Sequence, residues 1–296
     1  MNLTPYPTKS GHFALAIAVC FAITALILLD ALLRQTDPLT IFWLLVAALI
    51  ALGGVVIAVC LSIIGFKLNY HLNRNGLAIQ WGVCRQRIPL NHIEAIIPGD
   101  VLEEPIQFKG FNFAGLRIGW GQTEESERIT FRTTAPLEKS LLIVTPKKIY
   151  VISPQDRQAF LQAWQDRQTL GPTQQWQEEV RRGWPLTIGM LSDPLSWWLI
   201  GVAALICLAL LGYVSIRYTN LPPSLPIHFN NFGQADRITD KINLFTLPAV
   251  GGIALGINII LGGLIHHREK VAAYMLLGST VTVQIFLWIA MLTITI

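Results

Sequence analysis

The chain has 296 residues, 52% of them hydrophobic and only 14% charged, with a mean hydropathy of +0.50 and a net charge of +4. An ordinary soluble domain is about a quarter charged, so the composition excludes that class and points to a membrane protein. The basic residues are spread in ones and twos, which leaves no electrostatic footprint for nucleic acid and predicts no such partner.

An ionised group at the bilayer centre costs several kcal/mol, so charge-free stretches mark the candidate spans. Five are long enough: Ser10 to Leu29, Leu39 to Ile64, Asp193 to Arg217, Lys241 to Arg268, and Lys270 to Ile296. Each reaches the roughly 20 residues that a helix needs to cross the hydrocarbon. The first run is too long for a signal-peptide core and lacks a small-residue cleavage site, so it is read as a retained span. Asp30 and Arg34 stand at i, i+4 near its end and predict a local ion pair. Within the later spans, Gly252 and Gly256 have GxxxG spacing, which predicts close helix packing. Lys9, Lys67, Arg74, Arg181, Arg182, Arg268 and Lys270 flank one side, against Arg34, Arg217, Arg237 and Lys241 on the other. By the positive-inside rule the N-terminus is expected inside and the C-terminus outside.

Between the second and third spans the periodicity changes. Tyr70, Leu72, Leu77, Ile79 and Trp81 alternate with polar residues around Asn75-Gly76, a dipeptide suited to a two-residue hairpin turn. Further strands are expected at Arg87 to Leu90, Leu116 to Trp120, around Ile129 and Phe131, at Leu141 to Thr145, and at Ile149 to Ile152. Ser153-Pro154-Gln155-Asp156 reads as a capping box that starts a helix presenting Phe160, Leu161 and Trp164 to one side. Trp176, Val180 and Trp184 then recur at i, i+4, i+8, the spacing of a helix lying on the inner membrane surface; a polar linker is the competing reading. The expected organisation is two transmembrane helices in 1–65, a soluble domain in 66–168 that folds alone, a linker or interfacial segment in 169–196, and three transmembrane helices in 197–296 with a polar loop at 217–243. The fold class is an α+β membrane protein, in which about seven strands and one C-terminal helix form an inserted barrel of the pleckstrin-homology (PH) type.

The middle segment resembles a bacterial PH domain of the membrane-tethered kind. The resemblance rests on Tyr70-His71-Leu72 with Gly76-Leu77, Arg87-Ile88-Pro89-Leu90 with Ile93, the glycine-rich stretch from Gly110 to Gly121, and Tyr150 to Pro154 leading to Phe160. A second resemblance covers about 50 residues: Leu221-Pro222, Pro226-Ile227-His228-Phe229-Asn230, Gly233, Asp236-Arg237 and Lys241, followed by an apolar helix. It is similar to the short membrane segment of unknown function that also occurs in SdpI-like immunity proteins, which protect a bacterium from its own secreted toxin.

The commonest hydrolase and nucleotide-binding motifs, HExxH, GxSxG and a phosphate loop, do not occur, so the chain is expected not to be an enzyme and to need no cofactor. The four cysteines form no zinc pattern, and His266-His267, adjacent on a helix, point about 100° apart and cannot readily share an ion, so no metal site is predicted. One dense polar constellation remains beside a span. Pro226, His228, Phe229, Asn230, Gly233, Asp236, Arg237 and Lys241 make a candidate recognition loop, since charge-assisted hydrogen bonds there could hold a partner. Against it stands plain turn shaping by Asn230, Gly233 and the acidic residues. Arg74, Arg85 and Arg87 are candidate lipid contacts if they gather near one end of the barrel, although a scaffold or docking surface needs none of them. The expected role is a non-enzymatic protein of the bacterial cytoplasmic membrane acting in scaffolding, sensing or regulation. Its PH-like domain is expected inside, its polar loop outside, and its partners are the lipid bilayer and a protein. The alternatives are an SdpI-like toxin immunity factor and a membrane enzyme of unrecognised class.

Overall fold

The computed structural model describes residues 1–101, 106–122, 128–229 and 235–295, and for 226–229 and 235–237 the backbone only. The chain divides into two compact units, Met1–Thr24 with Ile50–Gly183, and Ala25–Leu49 with Trp184–Ile296. Among the described residues five helices are long and apolar enough to cross a membrane, which fits a multi-pass membrane protein: α1 (Ser10–Arg34), α2 (Pro38–Lys67), α4 (Pro194–Arg217), α5 (Thr246–Ile265) and α6 (Lys270–Thr295). Helix α1 continues past the charge that ends its apolar run, and Arg34 Nε meets Asp30 Oδ2 at 2.9 Å, the ion pair expected at that spacing.

In the first unit, α1 and α2 touch through glycine. A Cβ at Gly65 would meet the Gly11 backbone nitrogen at 2.8 Å, and the Ser62 hydroxyl donates to the Gly11 carbonyl at 3.1 Å. The remaining elements form two sheets and one helix, a mixed α+β arrangement. The first sheet has the order β1-β2-β3-β4-β11, built from Asn2–Leu3, Asn69–Asn73, Gly76–Trp81, Cys84–Pro89 and Glu179–Arg182. The second has the order β5-β9-β10-β8-β7-β6, from Ala95–Pro98, Leu141–Val144, Ile149–Ile152, Arg128–Thr133, Leu116–Gln122 and Gln107–Phe113. Alternation sets the faces. Tyr70, Leu72, Ile79 and Ile88 meet Leu116, Tyr150 and Ile152 in one core, closed by Phe160 and Ala163 of α3 (Arg157–Leu170). Ile129, Phe131 and Val151 face the other way into a smaller cluster.

Several details differ from the sequence reading. Among the described residues nine strands, β2 to β10, lie between Asn69 and Ile152, rather than about seven, and strands from outside 66–168 complete the first sheet. The hairpin turn falls on Arg74-Asn75, one residue early, because the Asn73 Oδ1 accepts from the amides of Asn75 and Gly76 at 2.9 and 3.0 Å. Gly76 then enters β3 at φ 151°, where a Cβ would meet the Ile88 carbonyl oxygen at 2.0 Å. The α3 cap is Asp156, whose carboxylate accepts from the Ala159 amide at 2.9 Å, and not Ser153. Ser153 is buried and occupied elsewhere: its hydroxyl accepts from the Thr134 amide at 2.8 Å and its amide donates to the Tyr70 hydroxyl at 3.2 Å. Val180 lies on strand β11, so the helical spacing of Trp176, Val180 and Trp184 is not realised.

In the second unit, neutral polar groups join the helices. Asn258 Nδ2 donates to the Thr280 hydroxyl at 2.8 Å, Gln284 Nε2 to the Gly251 carbonyl at 2.9 Å, and Trp288 Nε1 to the Ile206 carbonyl at 3.1 Å. Such bonds satisfy groups that lipid cannot. A Cβ at Gly251 would meet Gln284 Oε1 at 2.6 Å, whereas Gly252 and Gly256 have nothing within 4 Å. The close-packed glycine is therefore Gly251, and the predicted GxxxG contact is corrected.

Candidate functional site

The polar loop between α4 and α5 folds as a hairpin of β12 (Ser224–Phe229) and β13 (Ala235–Asp240). Its base is anchored: Leu225 and Leu244 are buried with Leu210, Val214 and Met291. Lys241 belongs to that base, since its ammonium donates to the Tyr218 carbonyl at 3.1 Å and lies 4.5 Å from the centroid of the Tyr218 ring. Toward the tip the pairing is irregular. Pro226 stands opposite Ile238, His228 opposite Arg237 and Phe229 opposite Ala235, with register shifts on both sides of His228. Proline removes a ladder donor at the same place, and a bulge locally disrupts the ladder. The backbone thus brings His228 and Arg237 to directly paired positions, with Asp236 next in chain. Asn230 and Gly233 lie outside the described residues.

The three arginines proposed for lipid are not gathered. Arg74 is exposed in the β2–β3 turn, whereas Arg85 is exposed on β4 opposite Gln80, near the other end of that strand pair. Arg87 shares a face with Arg85 but is occupied: its Nη1 lies 3.2 Å from Glu179 Oε1, and its guanidinium lies 5.2 Å from the Trp176 ring centroid. Strand β11 instead sets Arg181 opposite Arg85 and Arg182 opposite Cys84. The β3–β4 turn beside them packs on α2, since a Cβ at Gly82 would meet Ile64 Cγ1 at 3.1 Å.

Between the sheets, buried Gln86 and Glu178 both hydrogen-bond the Tyr150 hydroxyl. Burial first, and then the Glu178 carboxylate, push the Tyr150 phenol well above its usual range. Burial likewise raises the Cys84 thiol and lowers the Arg132 guanidinium. Arg132 stacks on Trp81 at 4.4 Å and donates through Nη1 to the Phe131 and Gly119 carbonyls at 2.6 and 3.3 Å. Sequence reasoning read Trp176 as part of an interfacial helix and missed Glu178 and Glu179, because a four-residue strand with one apolar residue has no readable period.

His266 and His267 occupy different environments, one 2% exposed and the other exposed. His266 Nε2 lies 3.6 Å from Asp193 Oδ2, beyond hydrogen-bond range. Asp193 caps α4, and its carboxyl is held down to about 2, chiefly by the Ser196 hydroxyl. Among the described residues no group of three or more metal-capable side chains occurs.

Known families match in two places. A family model described as a bacterial PH domain matches residues 68–168, and one described as a domain of unknown function (DUF1648) matches residues 205–252. The first spans β2 to α3, the segment that resembles a PH domain. The second begins inside α4, ahead of the loop that carries the resemblance, and ends in the early turns of α5. No curated protein and no solved structure matches the chain.

Proposed function

We propose that the chain is a non-enzymatic protein of the bacterial cytoplasmic membrane that holds a protein partner on the β12–β13 hairpin outside, while its PH-like domain serves inside as a scaffold or regulatory surface. The carrying observation is the irregular pairing around His228 on a hairpin whose base is fixed by buried leucines and by Lys241. The base is fixed and the paired backbone above it is irregular, and bulges recur beside functional sites. Action by binding is supported by three polar groups, Tyr150, Asp193 and Lys241, each of which is engaged in holding structure.

The orientation draws on exposed cations. Lys67 ends α2, and Arg85, Arg181 and Arg182 lie on strands beside the turn that packs on it, the enrichment found on cytoplasmic flanks. One crossing, α4, separates that domain from the hairpin along the chain.

The test is a photo-crosslinking residue at position 228 in native membranes. A single protein adduct is expected, and its yield should fall about tenfold in D236A, the cost of losing a charge-assisted bond. Membrane level and melting temperature should stay at parent values. K241A is the contrast, because it removes a bond that holds the hairpin base and should lower stability itself. Loss of adduct only in proportion to protein level would make the hairpin structural.

A second reading, immunity toward a secreted toxin, draws on the match over residues 205–252 and the resemblance to SdpI-like proteins. Survival of a toxin-exposed strain with and without the chain separates the two.

A further inference from the structure

One face of the second sheet carries two adjoining cavities of opposite character. Register places Lys109, Phe111 and Phe113 of β6 on that face, opposite Trp120, Ile118 and Leu116 of β7. Toward the hairpin tip, Phe111 and Phe113 close an apolar groove of about 330 Å³ against Ala14 and Phe21 of α1 and Gly54 and Leu61 of α2. The tip is pinned to the start of α1 by the Thr8 hydroxyl, which donates to the Ala114 carbonyl at 2.7 Å. At 1.5 Å per residue, the groove runs from about 6 to 17 Å along α1 from its first residue, within the apolar part of a candidate span.

Away from the tip, the same face opens into a cleft of about 270 Å³ lined by Ile118, Trp120, Arg128, Thr130, Arg132 and Lys148. Lys109 and Arg128 approach the Trp120 ring at 5.3 and 6.0 Å. Among the described residues, Glu178 is the carboxylate at ion-pair distance from these cations, 3.4 Å from Lys148; Arg128 and Arg132 have none. Ile118 of the basic cleft and Phe111 of the apolar groove are direct cross-strand partners, so the two cavities adjoin.

We propose that this face binds one anionic phospholipid, its acyl chain in the groove between the β6–β7 hairpin and α1–α2 and its phosphate in the cleft of Arg128, Thr130, Arg132 and Lys148. Lipid is the solvent around a spanning helix pair, and an apolar groove along it fills with chain. The adjoining cations select the headgroup: charge-assisted bonds from guanidinium to phosphate oxygen are strong, and Trp120 has the amphipathic ring found at the headgroup level. The site uses none of Arg74, Arg85 or Arg87.

The test uses the full-length protein in phosphatidylcholine vesicles with trace phosphatidylglycerol carrying a photoreactive group in its acyl chain. Crosslinks mapped by mass spectrometry are expected on the peptides of Phe111–Phe113 and Gly54–Leu61, about tenfold more than with the matching phosphatidylcholine probe. R132Q should bring the two probes together. K109Q/R128Q, which changes two exposed side chains, should do the same with the fold intact, and it decides the matter if R132Q fails to fold. Soluble glycerol phosphate should not compete. Equal labelling by the two probes, indifference to K109Q/R128Q, competition by glycerol phosphate, or a crosslink to a second copy of the chain in place of lipid would each overturn the assignment.

Discussion

The Tyr70 hydroxyl, on β2 of the first sheet, donates to the Arg132 backbone carbonyl on β8 of the second at 2.7 Å, and both sheets are tied through this fully buried phenol. Burial pushes Tyr70 up to about 12, so the neutral form is what the fold holds. Y70F should cost about 1 to 3 kcal/mol, since the Arg132 carbonyl and the Ser153 amide both lose a partner. A raised phenol contributes stability that is complete below its unfolded value of about 10 and lost as pH rises toward about 12. Chemical unfolding followed from pH 8 to 12 should therefore show a shallower alkaline decline in Y70F than in the parent, the remaining slope coming from Tyr150. Identical declines would show that Tyr70 is not the group responsible.

Gly251 and Gly252 are neighbours in α5 with opposite surroundings. G251A forces a methyl into Gln284, 2.6 Å from its Oε1, and disturbs the bond that Gln284 donates to the Gly251 carbonyl. A loss of about 1 to 3 kcal/mol is expected. G252A meets nothing and should stay within about 0.5 kcal/mol of the parent. Thermal unfolding in detergent compares them, and equal losses would mean that Gly252 is packed against something the isolated chain does not contain.

Strand β11 extends the soluble domain past its apparent end. Four residue pairs join it to β4, Glu179 meets Arg87, and Glu178 meets the buried Tyr150 hydroxyl. A fragment of residues 66–183 should consequently melt higher than one of 66–168, in which Gln86 and Tyr150 lose their cover. R87A in the longer fragment should narrow the gap. Coincident melting curves would show that β11 contributes nothing to the domain.

Most of the fold could be read because its signals are local. The spans follow from missing charge, and β8, β10 and α3 follow from runs such as Ile149 to Ile152 and from Phe160 with Trp164. The errors are where a long-range partner overrides a local rule. Ser153 looks like a helix cap, but its hydroxyl is claimed by the amide of Thr134, just past the end of β8. Asn75 looks like half of an Asn-Gly turn, but its side-chain oxygen accepts from the Thr173 and Gln174 amides, 98 and 99 residues away, and holds the segment after α3. Strands β1 and β11 are two and four residues long and acquire meaning only when paired. The candidate hairpin was legible as a polar cluster, yet the structural role of Lys241 was not, because its acceptors are backbone carbonyls that no sequence pattern encodes. Nor could composition reveal that Arg74 and Arg85 fall at different ends of one strand pair.

The central claim is that the PH-like domain and the β12–β13 hairpin face opposite sides of the membrane. Cys84 cannot report on the inner side, because it is only 8% exposed and would resist reagent in either orientation. Exposed positions on each element serve instead: Ser224 at the start of β12 and Gln165 on α3. With the native cysteines replaced, an impermeant thiol reagent added to spheroplasts should label S224C and spare Q165C, and lysis should then expose Q165C. Labelling of Q165C in intact spheroplasts with S224C protected would reverse the orientation, and labelling of both would place the two on one side; either result contradicts the account.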